Sequence, residues 1–337
     1  MTLKIAFTGT GYISKVHAQA AQALPDVELS AVVNHRLESM QTFADQFHIP
    51  RQYATLGDLL RDGGVDAVVI STPNALHAPE AIAALNAGVH VMVEKPMALN
   101  ADEARHMLAA SEKSGAKLMV AHCWRFDEEV LWLKKQLESS NIGKIFRTKG
   151  YGVHVNWGPG GWFTQAALAG GGALADMGIH AIDTARFLLG DPRPVSVYAK
   201  IGTHYKNYDV DDTGIIIVNW DNGTTSYIES GWWQPHTDGA EASTQLYGQT
   251  GFGQLFPTYT RFLNPQTGQP ETHDSGFPAQ RDPHCPQSMY DTQLAYFVDC
   301  IRQDKTPIPG GAEGLLNMQI VDAAYASSQS GKVVEIS

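Results

Sequence analysis

The sequence predicts an α/β protein in which an N-terminal Rossmann domain, a doubly wound parallel sheet, is followed by an α+β domain with a large, mostly antiparallel sheet. Three observations carry this expectation. Short apolar runs alternate with helical patterns as far as His122, the order that βαβ units impose. Beyond His122 the chain changes to long segments of alternating polarity. At 337 residues and 43% hydrophobic, the chain exceeds one ordinary domain and gives each of two parts enough apolar surface for a core. The expected division is a dinucleotide-binding domain over 1–122 and a substrate-binding and oligomerisation domain over 123–337.

The first strand, Leu3 to Phe7, runs into Gly9-Thr10-Gly11-Tyr12-Ile13-Ser14 and a helical pattern from Lys15 to Leu24 that Pro25 stops. Strand, glycine turn and helix present backbone N–H groups at a helix N-terminus, where a pyrophosphate can be held. Gly9, Gly11, Tyr12 and Ile13 are therefore candidate cofactor contacts, and Ser14, small enough for close packing, stands where such turns usually carry a third glycine. The second strand, Glu28 to Val33, ends in Asn34-His35-Arg36. An acid there normally receives the adenosine ribose. The neutral Asn34 removes repulsion toward a 2′-phosphate, and His35 and Arg36 bring donors to it, so NADP(H) is expected over NAD(H).

Met40, Phe43, Ala44 and Phe47 form a core-facing helical stripe, and a short helix is expected around Leu56 to Arg61. The strand Ala67 to Ile70 ends in a polar turn at the carboxyl edge whose Ser71, Thr72, Asn74 and His77 are candidate cofactor contacts, Asn74 and His77 reading equally as turn residues, and a small-residue helix from Pro79 to Ala87 follows. The valine-rich run from Val89 ends in Glu94-Lys95-Pro96, and because proline cannot donate to a ladder the strand stops at Lys95. Ligands bind at that carboxyl edge of a parallel sheet. Lys95 is thus a candidate catalytic or cofactor group, although a surface lysine closing a strand reads the same way. Asn100 with Glu103 predicts a capping box, Gly115 ends that helix, and Lys117 to Ala121 is the last strand of the domain.

In the second part a helix over Glu128 to Ser139 precedes alternating segments at Arg147–Trp157, Val195–His204, Gly214–Trp220, Thr224–Trp233 and Thr244–Gly253. Asp221-Asn222-Gly223 predicts a hairpin, since those residues tolerate positive φ. Residues 264–286 read as a long irregular loop, and helices are expected near 287–303 and 312–328. Between the first two segments, Gly170-Gly171-Gly172 leads to Asp176, His180 and Asp183 on a helix that ends at Gly190. Asp176 and His180 are four residues apart, which places them on one helical face. An imidazole there can take a hydroxyl proton while a carboxylate supports the imidazolium, and a lysine ammonium can stabilise the developing alkoxide. Taken singly, Asp176 also reads as a first-turn acid and His180 as a core histidine.

The net charge of −11 and the absence of a basic cluster argue against a nucleic-acid partner, and no run is long enough to span a membrane. Cys123, Cys285 and Cys300 are odd in number and lack metal-ligand spacing, so neither a disulfide framework nor a metal is expected. With an apolar strand starting at Leu3 and no leader pattern, a cytoplasmic protein acting on a small molecule is expected.

The order of glycine turn, Thr72-Pro73-Asn74 with Leu76-His77, Glu94-Lys95-Pro96, Arg125-Phe126, and Gly170-Gly171-Gly172 with Asp176, His180 and Asp183 resembles the glucose–fructose oxidoreductase/inositol dehydrogenase (Gfo/Idh/MocA) family over essentially the whole chain. Ser14 and Asn34 are departures. The resemblance implies an NAD(P)-dependent oxidoreductase acting on a secondary hydroxyl or ketone of a sugar, inositol or sugar derivative. Lys95 is then the catalytic lysine, His180 the general acid/base and Asp176 a carboxylate that positions substrate or tunes the pair. It further implies a cis Lys95–Pro96 bond, cofactor contacts from Glu94 and Trp162, and substrate contacts from Lys95, Arg125, His154, Asn156, Trp162, Asp176 and His180. Trp157, Trp232, Trp233, Gln234 and His236 suit a polyol or sugar ring, or ordinary sheet packing. A homodimer or homotetramer through the open sheet face is expected. Two other functions share the fold: a glycosidase that oxidises its sugar transiently on bound NAD, and a non-enzymatic dinucleotide-binding regulator. Retention of Lys95, Asp176 and His180 together speaks against the regulator.

Overall fold

The computed structural model describes residues 2–139, 141–235, 241–278 and 285–336; His236 lies outside them. The chain forms two units, Met1–Cys123 with Pro286–Met318, and Trp124–Cys285 with Gln319–Ser337.

In the first unit six parallel strands, β1 (Leu3–Thr8), β2 (Val27–Val33), β3 (Arg51–Tyr53), β4 (Ala67–Ile70), β5 (His90–Val93) and β6 (Leu118–Val120), pair in the order β3-β2-β1-β4-β5-β6. All four residues of β4 are buried because both faces of the sheet are covered, which is why these strands read as continuous apolar runs. The strand order reverses between β1 and β4, and that reversal opens the crevice at the carboxyl edge. On the helix Leu37–Phe47 the buried residues are Met40, Phe43, Ala44 and Phe47, the stripe expected, with Phe43 tilted against Phe7 at 6.1 Å. Asn100 accepts from Glu103 N at 2.9 Å as a cap, but the Glu103 carboxylate turns back to Leu99 N, at 3.0 Å, rather than to Asn100.

The C-terminal segment 286–318 packs with this first unit, whereas the linear division assigns it to the second. The helix Gln287–Arg302 explains why. Gln287 Nε2 donates to Val16 O at 3.0 Å and the Tyr290 ring meets His17 edge-on at 5.6 Å, so its apolar face is buried on the helix Tyr12–Gln22.

The second unit carries a nine-stranded sheet of β7 (Ile145–Val155), β8 (Pro194–Gly202), β9 (Thr213–Trp220), β10 (Thr225–Gln234), β11 (Ala242–Gly248), β12 (Gly251–Leu255), β13 (Tyr259–Leu263), β14 (Pro270–Asp274) and β15 (Val334–Glu335). Its order is β14-β13-β12-β11-β7-β10-β9-β8-β15, antiparallel except for the pair β7 and β10. Gly223 has φ 84° in the turn predicted between β9 and β10. Two expectations are corrected. The single segment Thr244–Gly253 is a hairpin, because the chain turns at Gln249 and Thr250. The supposed loop 264–286 contains β14, reached through a turn in which Asn264 Oδ1 accepts from Gln266 N and Thr267 N, at 2.8 and 3.0 Å.

Candidate active site

The glycine turn of the first unit is built for close approach. Gly9 has φ +88°, and a Cβ on it would lie 2.6 Å from Ser71 O, so only glycine lets the loop pass the end of β4. Gly11 is the N-cap of the helix Tyr12–Gln22 and makes no side-chain cap, which leaves first-turn N–H groups for an anion. Tyr12 is exposed and Ile13 half-buried beside it. Ser14 is fully buried with its Oγ 2.6 Å from Ser71 Oγ, so the hydroxyl fills the place of the usual glycine and ties helix to strand edge.

Asn34 closes the end of β2. Its Nδ2 donates to Ser39 Oγ at 3.0 Å and to Thr10 Oγ1, while its Oδ1 accepts from Arg36 N at 3.2 Å. A cleft of about 360 Å³ lies beside it, lined by Gly9, Asn34, His35, Thr55, Thr72 and Glu80 among others. Its size falls within the range of small-molecule sites. Arg36 is exposed as the N-cap of the next helix. Glu80, which the sequence does not single out, accepts from Thr8 Oγ1 at 2.8 Å and Thr72 Oγ1 at 3.0 Å. Burial pushes its carboxyl up.

At the edge of β5, Glu94 is buried with Oε1 2.7 Å from His17 Nε2 and Oε2 3.1 Å from Lys95 N. Burial alone would raise the Glu94 carboxyl, but the hydrogen bond and charge of His17, with Lys95 and His77, hold it below its ordinary value. Lys95 is half-buried, and the Lys95–Pro96 bond is cis. His77, expected to contact cofactor, has both ring nitrogens on backbone carbonyls instead, Nδ1 2.8 Å from Pro96 O and Nε2 2.9 Å from Thr72 O. It therefore joins the turns after β4 and β5, and burial lowers its pKa despite those carbonyls. Asn74 is buried in the same turn.

In the second unit, the segment carrying Asp176 is not α-helical but a π turn, Leu174–Gly178, continued by the α-helix Ile179–Leu188. Such turns occur mostly as single-turn bulges in α-helices and are frequent at functional sites. The glycine run makes it possible: a Cβ on Gly172 would lie 1.8 Å from Asp211 O, and one on Gly171 would lie 2.1 Å from Tyr325 Oη. Asp211 caps the turn, accepting from Gly172 N, Leu174 N and Tyr325 Oη at 2.7, 2.8 and 2.6 Å. Burial raises the Asp211 carboxyl and, together with the adjacent Asp211 charge, the Tyr325 phenol.

Asp176 is 9% exposed, and its Oδ2 accepts from Trp232 Nε1 at 3.0 Å and lies 3.4 Å from His154 Nε2. His154 Nδ1 lies 3.0 Å from Glu241 Oε2, and the ring stacks on Trp157 at 3.6 Å. His180 is buried and stacks on Trp124 at 4.9 Å. Asn156 is exposed with φ 58°, and Trp162 stacks on Phe163 at 3.9 Å. Arg125 corrects an expectation. Expected to contact substrate, its side chain is 2% exposed and donates to Asp183 at 2.7 and 2.8 Å and to Asp191 at 2.7 and 3.2 Å, so it ties the middle of the helix Ile179–Leu188 to the turn that follows it. Two carboxylates outweigh burial and hold that guanidinium above its ordinary value. His17, Asp211, Glu241 and Tyr325 were not legible, because each is a lone polar residue whose partner lies far away in the sequence.

Among the described residues no group of three or more His, Cys, Asp or Glu could hold a metal ion, and no helix is long and apolar enough to cross a membrane. Residues 3–122 match the family described as "Oxidoreductase family, NAD-binding Rossmann fold", and residues 130–252 match "GFO/IDH/MocA C-terminal domain". The chain is 28% identical over 350 residues to the D-glucoside 3-dehydrogenase of Escherichia coli (strain K12), covering 99% of this chain and 97% of that one. It is 28% identical over 330 residues to D-xylose 1-dehydrogenase (NADP(+)) 2 of Haloferax volcanii, covering 97% and 98%. Among solved structures, GenD2 from gentamicin A biosynthesis in complex with NAD superposes with TM-score 0.85 at 26% identity, covering 100% of this chain and 97% of that one.

Proposed function

Because the chain belongs to the Gfo/Idh/MocA oxidoreductase family, we propose that it transfers a hydride between a nicotinamide dinucleotide and a secondary hydroxyl or ketone of a sugar, inositol or sugar derivative. The observation that carries this reading is the glycine turn. Gly9 pressed against Ser71 and the uncapped Gly11 fit a pyrophosphate, and the cleft beside Asn34 and His35 fits the adenosine end. Bound there, the nicotinamide supplies or takes up the hydride. The Lys95 ammonium stabilises negative charge on the substrate oxygen. His180 takes the hydroxyl proton in oxidation and returns it in reduction. Asp176, fixed by Trp232 and His154, accepts a hydrogen bond from a substrate hydroxyl.

Finer parts of the proposal concern cofactor, assembly and compartment. Asn34 without charge and Arg36 exposed beside it favour NADP(H) over NAD(H). A homodimer or homotetramer forms through the exposed face of the large sheet, where Tyr198 and Ile215 are 41% and 44% exposed. A light-scattering mass equal to one chain at micromolar concentration would remove that proposal. The cytoplasm is the proposed compartment, in keeping with three free cysteines.

The test is to incubate the pure protein with NADP or NAD and a panel of sugars and polyols while following absorbance of the reduced nicotinamide. Absorbance should grow with at least one sugar, faster with NADP at equal concentration, and Arg36→Ala should weaken NADP by roughly 1–3 kcal/mol. Sugar cleavage without net absorbance change would indicate the glycosidase reading, and no turnover with either dinucleotide would reject the enzyme.

A further inference from the structure

The imidazole of His154, on β7, meets a carboxylate at each nitrogen, Asp176 Oδ2 at 3.4 Å from Nε2 and Glu241 Oε2 at 3.0 Å from Nδ1. A neutral imidazole has only one N–H, so one of these contacts would set a lone pair against an anion; the imidazolium satisfies both. Glu241 is itself fixed from two sides. Its Oε1 accepts from Val155 N at 2.9 Å and from Trp157 Nε1 at 2.6 Å, and the Trp157 ring lies on the imidazole with an interplanar angle of 28°. An indole face over a cation adds attraction.

We infer that Glu241 is a positioning residue: it holds His154 as an imidazolium, and that imidazolium keeps Asp176 ionised and aimed at a substrate hydroxyl. The inference rests on the reading of Asp176 as a substrate-facing carboxylate. Without the cation, Asp176 and Glu241 would be two neighbouring acids in a poorly hydrated place, and one would take up a proton and cease to be a pure acceptor.

The titratable groups that face His154 are Asp176, from the π turn, and Glu241, from the segment entering β11. Burial pushes the imidazole down, but hydrogen bonds and charge from these two acids more than reverse it, leaving its pKa raised. Glu241 is correspondingly lowered, since His154 and the Val155 N–H outweigh its burial. A raised histidine keeps its charge below its ordinary pKa and loses it as pH climbs through the raised value. Substrate oxidation should therefore show an alkaline limb as His154 discharges.

The experiment is an NMR titration of His154 in the ligand-free full chain, wild type against Glu241→Gln, paired with kcat/KM of sugar oxidation across pH. Glutamine keeps an oxygen for Val155 and Trp157, removes the charge and puts an NH2 donor where an oxygen accepted from His154 Nδ1. The His154 titration should move to lower pH by about one unit or more, the alkaline limb should move with it, and Glu241→Asp should restore part of the shift. If Glu241→Gln does not fold, Trp157→Leu, which removes the indole face from the imidazolium and one of the two donors that fix Glu241 Oε1, should move the titration the same way by less. An unmoved titration overturns the inference. So does a moved titration with an unmoved limb, which would leave Glu241 merely structural. A shifted titration in a protein with no sugar turnover supports the charge arrangement and overturns the oxidoreductase reading instead.

Discussion

Lys95 and His180 carry the reaction as proposed, and they differ in how their surroundings prepare them. Lys95 lies two residues beyond Val93, the last paired residue of β5, and its backbone N–H is held by Glu94, whose other oxygen is fixed by His17. His180 sits one residue into an α-helix with its ring flat on Trp124, a contact that sets ring orientation without taking a proton. If His180 takes the hydroxyl proton, oxidation should speed up with rising pH through one ionisation and reduction should slow over the same interval. His180→Ala should flatten both slopes and lower the rate by about 10²–10⁴-fold. Stopped-flow rates in both directions check this, and the rise of oxidation with pH surviving unchanged in His180→Asn would move the role to another group, whereas the alkaline limb assigned to His154 should survive. At this scale the sequence was informative about residue type and blind to partners. Asp176 stood out because a carboxylate four residues before a histidine on a helix is a recognisable pattern, but nothing in that pattern announces the π turn or the imidazole of His154, 3.4 Å from its Oδ2. Arg125 was misread for the same reason, since nothing local announces that Asp183 and Asp191 enclose it.

The elements that position these groups were legible where their pattern is long. The apolar strands, the hairpin at Asp221-Asn222-Gly223 and the stripe of the helix Leu37–Phe47 all follow from periodicity and turn chemistry. The three-residue β3 was not, because it is too short for a period, and the turn between β11 and β12 was missed although Gly248 and Gly251 bracket it, because the apolar alternation runs on through both strands. The glycine run shows why an element can depend on what is missing. Its distorted turn packs so closely on Asp211 and Tyr325 that even a methyl group has no room at Gly172. Gly172→Ala should lower stability by roughly 1–3 kcal/mol in chemical denaturation, the cost of overpacking a tight site. Gly160→Ala, which meets nothing within 4 Å, serves as the control and should be close to neutral.

For the whole molecule, the parallel sheet, the antiparallel sheet and their order along the chain were readable from the change of pattern after His122. The return of residues 286–318 to the first unit was not. Amphipathic spacing in the helix Gln287–Arg302 says that one face is buried, but it does not say against which core. Family membership and a dinucleotide-shaped glycine turn together make hydride transfer the central claim. Its most direct measurement uses a ring-deuterated sugar that the protein oxidises, with NADP or NAD, and the mass of the reduced dinucleotide as readout. The account predicts deuterium in the dinucleotide made by the wild type, and little of either product from Lys95→Ala, a variant that should still bind the dinucleotide because the glycine turn and the cleft beside Asn34 hold most of that ligand. Sugar consumed while the dinucleotide stays free of deuterium, or a wild-type rate from Lys95→Ala, would contradict it.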